Sequence, residues 1–597
     1  MTVIAVFAFA GCGRRADFSK LSEEFVYTNL AFSPVGATSV GYHKHNNVLL
    51  DAALDDMSRE AIQRQREFNE TFRDRLRNEV KVDDLSPEDR ADYDIIQDQI
   101  ALTLLEIRRI QNWQHNPTLY VELIGNALFQ PYVLEYAEKP DRYRHIIARL
   151  QKIPLLLAHA KLNLTRSPEI WTKVAIEENE GAIGLIERTL REAAPVELRP
   201  EYDKAAEPAL KALRDFHEHL KTSLALRSEW DWRLGRDRYT EKFRYYLATD
   251  LTPEEVLANA ERDLESVRAR MLAIAEPLHK SWFSGHGNHD GEAAQRLNLV
   301  VSEVLDRIAE LHATPEAYVA DAKRDLQEAR EFVKTKGFLT LPPRDNLQVI
   351  ETPEFMRGIY AVGGFAAAPA LEPHLGAFYW ITPIPPDWSK QRIESKLREY
   401  NFYKLKLLTI HEAMPGHYVQ LEYANDVQPQ ARRILRAVYG NGPYVEGWAQ
   451  YATEMMLDHG FLGNSPELRL TFLKEELRVL ANAILDIRLH MLGMTDQQAL
   501  DLMEKRTFQE HEEATAKLQR AKLSSCQLPT YLVGWRDWVR LRERYKAHKG
   551  ADFDLRTFND SALQAGAVPL PVLARLLTGS PLTRIAQRDL LPARPSN

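Results

Sequence analysis

From Asp51 to about Lys334 the apolar residues of this chain recur every three or four positions almost without a break, a period that suits helices packed on one buried face. After Thr252, for example, Val256, Ala260, Leu264, Val267, Met271 and Ile274 form a single stripe. Helix starts punctuate the region. Ser86-Pro-Glu-Asp89, Thr252-Pro-Glu-Glu255 and Thr314-Pro-Glu-Ala317 each set a hydroxyl before a proline and acidic residues, the order that caps and opens a helix. The expected fold class is mainly α, with many helices and no internal repeat. Ser281 to Glu292 reads as a glycine-containing, solvated loop, although its His286, His289 and Asp290 are also metal-ligand types. Tyr42-His-Lys-His45 reads as an early turn.

At 597 residues and 45% hydrophobic content the chain can bury a large core, and its length allows several domains. A net charge of -8 leaves no polycationic footprint, which argues against nucleic acid as a partner. No run of eighteen apolar residues is present, so no transmembrane helix is expected. Val3 to Ala10 is apolar and leads into Phe9-Ala-Gly-Cys12, which resembles a bacterial lipoprotein signal with Cys12 as the acylated residue. It departs from that pattern in having Phe9 where leucine is usual and no Lys or Arg before the apolar run. The expected location is the cell envelope, as a lipoprotein facing the periplasm; the alternative is a short terminal strand in a cytoplasmic protein. With Cys12 lipidated, Cys526 has no disulfide partner.

Between Gly337 and Thr382 the texture changes to proline, glycine, aromatic and β-branched residues. Gly337-Phe-Leu-Thr-Leu341, Leu347-Gln-Val-Ile-Glu351 and Gly376-Ala-Phe-Tyr-Trp-Ile-Thr382 read as strands of one small antiparallel sheet. A peptide can add to an exposed sheet edge through main-chain hydrogen bonds, so the sheet is a candidate cleft wall and Tyr379 a candidate substrate-binding residue. The alternative is that it only caps the helical core.

Ile410-His-Glu-Ala-Met-Pro-Gly-His-Tyr418 concentrates ionisable groups in an otherwise apolar, helix-prone run, and their burial is unfavourable unless something binds them. A neutral imidazole pair plus a carboxylate is the donor set of catalytic Zn2+, and the adjacent Glu412 can act as general base. His411 and His417 are six apart rather than four, so on a regular helix they would diverge by about 120°. Pro415 lacks the N–H that would bond the His411 carbonyl, and Gly416 tolerates angles that other residues resist. Together they point to a kinked or bulged helix that turns both rings to one ion. The alternative is that Pro-Gly ends one helix and His417 opens the next with no metal. Downstream, Pro443-Tyr-Val-Glu-Gly-Trp-Ala449 reads as a helix start with Glu446 in its opening turn, the third ligand a His-His-Glu hydrolase requires.

Glu475 to Leu492 is strongly apolar, yet Arg478, Asn482, Asp486 and His490 recur at intervals of four along one side. One reading is an exposed face. The favoured one is a cleft-lining stripe in which Asp486 orients His490 to hydrogen-bond a developing oxyanion.

His411-Glu-x-x-Pro-Gly-His417 followed by Glu446-Gly-Trp-Ala449 resembles the signature of the bacterial family known as domain of unknown function 885. The likeness extends, more weakly, from about Ser33 to the last helices. It implies an α-helical, zinc-peptidase-like fold, with one Zn2+ per chain held by His411, His417 and Glu446 and with Glu412 as the base. Arg520 to Gly534 resembles a family segment that sets a basic residue and an aromatic hydroxyl near the site. On that likeness Tyr531 donates to the tetrahedral intermediate and Arg520 grips a substrate carboxylate; each also has a plain reading as a packed tyrosine and an ion-paired arginine. The expected organisation is a signal segment over 1–12, a helical lobe over 13–334 and a catalytic lobe over 335–597, enclosing a deep cleft that favours short peptides. Hydrolysis of non-peptide amides or esters is the rival within enzymes, and a lipid-anchored scaffold is the rival outside them.

Overall fold

The computed structural model describes residues 17–285, 289, 292–352, 357, 362–580 and 582; Cys12, His286 and Asp290 lie outside them. The chain is 73% helical, with two small sheets. The capping signals act as the sequence suggests. Ser86 Oγ accepts from the Asp89 N–H at 3.1 Å, and Thr252 and Glu255 form a reciprocal capping box at the head of the helix Pro253–Trp282. Thr314 Oγ1 accepts from the Ala317 N–H at 3.3 Å, but there the helix starts only at Tyr318. Along Pro253–Trp282 the stripe from Val256 to Met271 is buried and packs on the long helix Pro466–Met491. Among the described residues no helix is long and apolar enough to cross a membrane.

A two-residue hairpin pairs β1 (Lys44–His45) with β2 (Val48–Leu49). The second sheet has the order β3 (Leu347–Glu351), β5 (Ala377–Ile381), β4 (Gly363–Ala366). It is mixed rather than wholly antiparallel: β3 runs parallel to β5 from Leu347↔Ala377 to Glu351↔Ile381, whereas β4 runs antiparallel to β5 from Gly363↔Ile381 to Ala366↔Phe378. Gly337 to Leu341, expected as a strand, is irregular. Its backbone bonds go instead to side chains of the helix Leu555–Gln564: Asn559 Nδ2 donates to Phe338 O at 2.8 Å, and the Thr340 N–H donates to Asp560 Oδ1 at 2.9 Å.

Apolar packing crosses the 334/335 boundary. One core joins Phe18–Ile110 and Leu234–Leu339 to Val349–Ala574, while Tyr120–Leu224 builds a core of its own. A smaller cluster of Trp171 and Trp232 with Leu485, Leu489 and Leu528 ties the second core to the C-terminal helices. The Tyr120–Leu224 helices are thereby held against the C-terminal half, and a cleft lies between them.

Candidate metal centre and its cleft

Asn401 caps the helix Phe402–Glu412, its Oδ1 accepting from the Tyr403 and Lys404 N–H groups at 3.1 and 3.2 Å. The helix stops at Glu412. The Ala413 and Met414 N–H groups fold back to Thr409 O, the Met414–Pro415 peptide is cis, and the next helix, His417–Ala424, opens on the second histidine. The backbone therefore breaks between two helices, where the sequence suggested a kink within one. Pro415 cannot donate, and Gly416 presses on the preceding turn, its N–H donating to Ile410 O at 2.9 Å. A Cβ on Gly416 would sit 1.8 Å from His411 O and 2.4 Å from Ile410 O, so only glycine fits there. Trp448 Nε1 donates to Pro415 O at 3.0 Å, satisfying a carbonyl that the break frees, and also to Gly416 O at 3.3 Å.

The break turns the two rings towards each other, with centroids 4.8 Å apart at 83°. Glu446 arrives on the helix Gly442–Asp458, which is capped by Asn441. Its Oε2 lies 3.6 Å from His411 Nε2 and 3.4 Å from His417 Nε2, and this buried oxygen has no hydrogen-bond partner. Burial alone would raise the Glu446 pKa, but the two imidazoles hold it far below the usual carboxylate range. Burial likewise opposes protonation of His417, and the Glu446 carboxylate outweighs it, raising that pKa. Tetrahedral ligands at zinc bond lengths stand about 3.3 Å apart, so two imidazoles and a carboxylate at these separations fit one such ion.

Glu412, His411, His417 and Glu446 line a cleft of about 1160 Å³ together with Tyr531 and Arg520. The Tyr531 ring lies 6.4 Å from that of His411 at 21°, and its hydroxyl is 3.4 Å from Gln527 Nε2. Two glycines permit this approach by letting the helices Gly442–Asp458 and Pro529–Lys549 nearly touch. A Cβ on Gly447 would lie 2.3 Å from Gly534 C, and one on Gly534 would lie 1.9 Å from Pro443 O.

Both cleft walls mix acidic and basic residues, Arg188 lying on the same wall as Glu122, Glu177 and Glu178. Glu122, Glu177 and Glu178 come from the helices Thr118–Val133 and Glu169–Gly184, and burial beside Glu122 and Glu177 pushes Glu178 up to about 8. The C-terminal wall carries Lys404, Arg478, Lys517 and Arg520 with Glu475 and Glu513, besides Glu412 and Glu446 at the centre. Lys404 pairs with Glu475 and Arg478 with Glu513. Burial opposes ionisation of Glu513, but Arg478 and Lys517 hold it down to about 2, while burial and Arg478 depress Lys517. Arg520 hydrogen-bonds Gln527 Oε1 at 3.3 Å, and among the described residues no carboxylate pairs with it. Of these wall residues only Glu412, Glu446, Arg478 and Arg520 were singled out from sequence. Lys404, a cation inside the apolar run Tyr403–Leu408, was the available signal; Glu122 and Glu178 offered none, because only the tertiary fold brings them to the cleft.

Two expected site residues lie elsewhere. His490 is buried with both ring nitrogens engaged, Nε2 donating to Ser524 O at 2.9 Å and Nδ1 facing the Leu234 N–H at 3.4 Å, so it has no free donor for an oxyanion. Asp486 accepts from the Tyr239 hydroxyl at 2.6 Å and from the Cys526 N–H at 2.9 Å; it fixes a core junction. Only Arg478 and Asn482 of the stripe line the cleft. Tyr379 is fully buried, its hydroxyl 3.1 Å from Thr409 Oγ1, and anchors the His411 helix to β5 rather than meeting a ligand. Gly363 to Phe365 of the edge strand β4 line the cleft in its place.

The fold and site define a mainly helical protein with a two-histidine, one-glutamate centre inside a cleft between its halves. The chain belongs to the family described as bacterial protein of unknown function (DUF885), whose pattern matches residues 34–577. It is similar to a solved structure described as a "putative lipoprotein of unknown function" from Shewanella oneidensis, with 29% identity and a TM-score of 0.77 over 94% of this chain and 99% of that one. It shares its fold with a second, described as a "putative lipoprotein" from Colwellia psychrerythraea, at 19% identity and a TM-score of 0.74 over 94% of this chain and 98% of that one. No curated protein matches the sequence.

Proposed function

We propose that this protein is a zinc-dependent hydrolase, a metallopeptidase that cleaves short peptides. The observation that carries the reading is the convergence of His411, His417 and Glu446, with ligand atoms 3.4 and 3.6 Å apart, beside Glu412 in an enclosed cleft. These three residues would hold the ion, which when bound supplies a Lewis acid for the scissile carbonyl and acidifies a water to a pKa near about 7. Glu412 takes the proton from the attacking water and delivers it to the leaving amine. The Tyr531 hydroxyl, kept protonated by burial that raises its pKa, donates to the oxyanion. Arg520, with no carboxylate partner among the described residues, offers its guanidinium to a substrate carboxylate. The edge strand β4 offers main-chain groups to an extended peptide. A cavity of about 1160 Å³ suits a peptide of a few residues better than a folded protein.

The test is Glu412→Gln, followed by metal analysis and by mass spectrometry of a mixed peptide library. The variant keeps the metal lost in His411→Ala/Glu446→Ala and cleaves nothing, whereas the wild type yields defined products. Cleavage of esters or non-peptide amides alone would move the substrate class, and peptide cleavage by Glu412→Gln at the wild-type rate would remove the mechanism. The two lipoprotein-like neighbours and the apolar run before Cys12 support attachment to the bacterial envelope. Loss of membrane fractionation in Cys12→Ser tests that attachment.

A further inference from the structure

We infer that the chain carries a second cation site, formed by His279, His289 and Glu303 and separate from the cleft. His279 lies in the last turn of the helix Pro253–Trp282, Glu303 lies on the helix Ala293–Ala309, and His289 belongs to the connection between them. Both imidazoles aim Nε2 at one carboxylate oxygen, with His279 at 2.6 Å and His289 at 3.0 Å from Glu303 Oε2. The ring centroids are 5.2 Å apart at 58°, and one ligand atom from each residue falls within 4.8 Å of the others. His279 is 8% exposed, so the arrangement is no chance meeting of surface side chains.

Two neutral imidazoles and a carboxylate are the donor set of a borderline-soft divalent ion such as Zn2+. Each nitrogen stands somewhat closer to Glu303 Oε2 than the roughly 3.3 Å edge of a zinc tetrahedron, so an entering ion would spread these two contacts by side-chain movement. A cation held by all three residues would tie His289 to both helices. Because none of the three residues lines the cleft, the site is structural: it staples a helical hairpin whose first helix packs on Pro466–Met491.

The experiment uses the full chain with His411→Ala and Glu446→Ala, which removes the first centre whatever its function, loaded with ZnCl2 and dialysed before metal analysis. One equivalent of zinc remains, and Tm rises on zinc addition. Adding Glu303→Gln, which keeps the shape and a hydrogen-bond acceptor, or His279→Ala weakens zinc binding on the order of 100-fold and abolishes the rise in Tm. Circular dichroism confirms that each variant is folded, and Glu303→Gln alone suffices if the histidine variant is not. Absence of zinc from the folded His411→Ala/Glu446→Ala chain, or retention unaffected by Glu303→Gln, overturns the inference. Neither outcome bears on the cleft centre, which Glu412→Gln tests independently.

Discussion

Gly416→Ala tests the geometry on which the candidate centre depends. The added methyl would lie 1.8 Å from His411 O, more than 1 Å inside an ordinary contact, and both atoms are fixed to backbone. Relief requires the 413–416 segment to swing away. That movement gives up the Gly416 N–H bond to Ile410 O and loosens the two Trp448 bonds. At about 1 kcal/mol for each hydrogen bond the loss is roughly 3 kcal/mol. In a chain this long the unfolding entropy is so large that a loss of about 3 kcal/mol moves Tm by only a few degrees. Metal binding is far more sensitive, because ligand distances must hold within about 0.2 Å. The informative assay is therefore zinc content after equilibrium dialysis at constant fold: Gly416→Ala loses the equivalent that His411→Ala/Glu446→Ala also loses, while its circular dichroism stays that of the wild type. Full occupancy of that equivalent with wild-type affinity would show that the close approach at Gly416 does not set the ligand positions.

His490→Gln lowers Tm by disturbing a buried hydrogen-bonded junction, at about 1–3 kcal/mol, yet leaves kcat/KM on a cleaved peptide within about twofold. A loss of a hundredfold or more with the fold intact would restore the oxyanion role. Asp98 is pushed up to about 7 by burial and by the nearby Asp94. Since this folded-state pKa exceeds the unfolded one, its contribution to stability is complete below about pH 4 and is lost as pH rises through about 7. Asp98→Asn therefore raises Tm relative to wild type at pH 8, and thermal scans show the gap closing towards pH 4. Gly125 sits inside the helix Thr118–Val133, and a Cβ added there would meet nothing within 4 Å, so Gly125→Ala raises stability by about 0.5–1 kcal/mol, measured by denaturant melts.

The helices and the approach of His411 to His417 were legible because each rests on local signals. The capping box at Thr252 and Glu255 needs four residues, and the His411–His417 break needs only a proline and a glycine in sequence. β4 was missed because Gly363-Gly-Phe-Ala366 has no β-branched residue and pairs only through β5. The misplacement of His490 has a geometric cause. From Arg478 to His490 the helix rises about 18 Å, at 1.5 Å per residue, so four polar side chains on one face meet several different surroundings. The first two reach the cleft, and the last two enter a polar junction built by Tyr239, Leu234, Ser524 and Cys526. Polar residues at helical spacing in an apolar stretch signal buried partners, and the sequence alone does not say which.

What the helical halves contribute to the proposed activity is selection. Under the proposed function the metal and Glu412 would supply the same chemistry to an ester or to a peptide, so discrimination between the two would fall to the walls. The Tyr120–Leu224 unit brings Glu122, Glu177 and Glu178 with Arg188, and the C-terminal helices bring Lys404, Arg478, Lys517 and Arg520 with Glu412, Glu446, Glu475 and Glu513. A short peptide meets Arg520, which has no carboxylate partner among the described residues, with its carboxyl end, whereas a neutral ester leaves that guanidinium unpaired. Leaving groups unpaired in a partly enclosed cleft is more unfavourable than never placing them there. On this reading the Tyr120–Leu224 unit belongs to the substrate site as much as the helices carrying His411, His417 and Glu446 do, and its separate core holds one wall of the cleft opposite those residues.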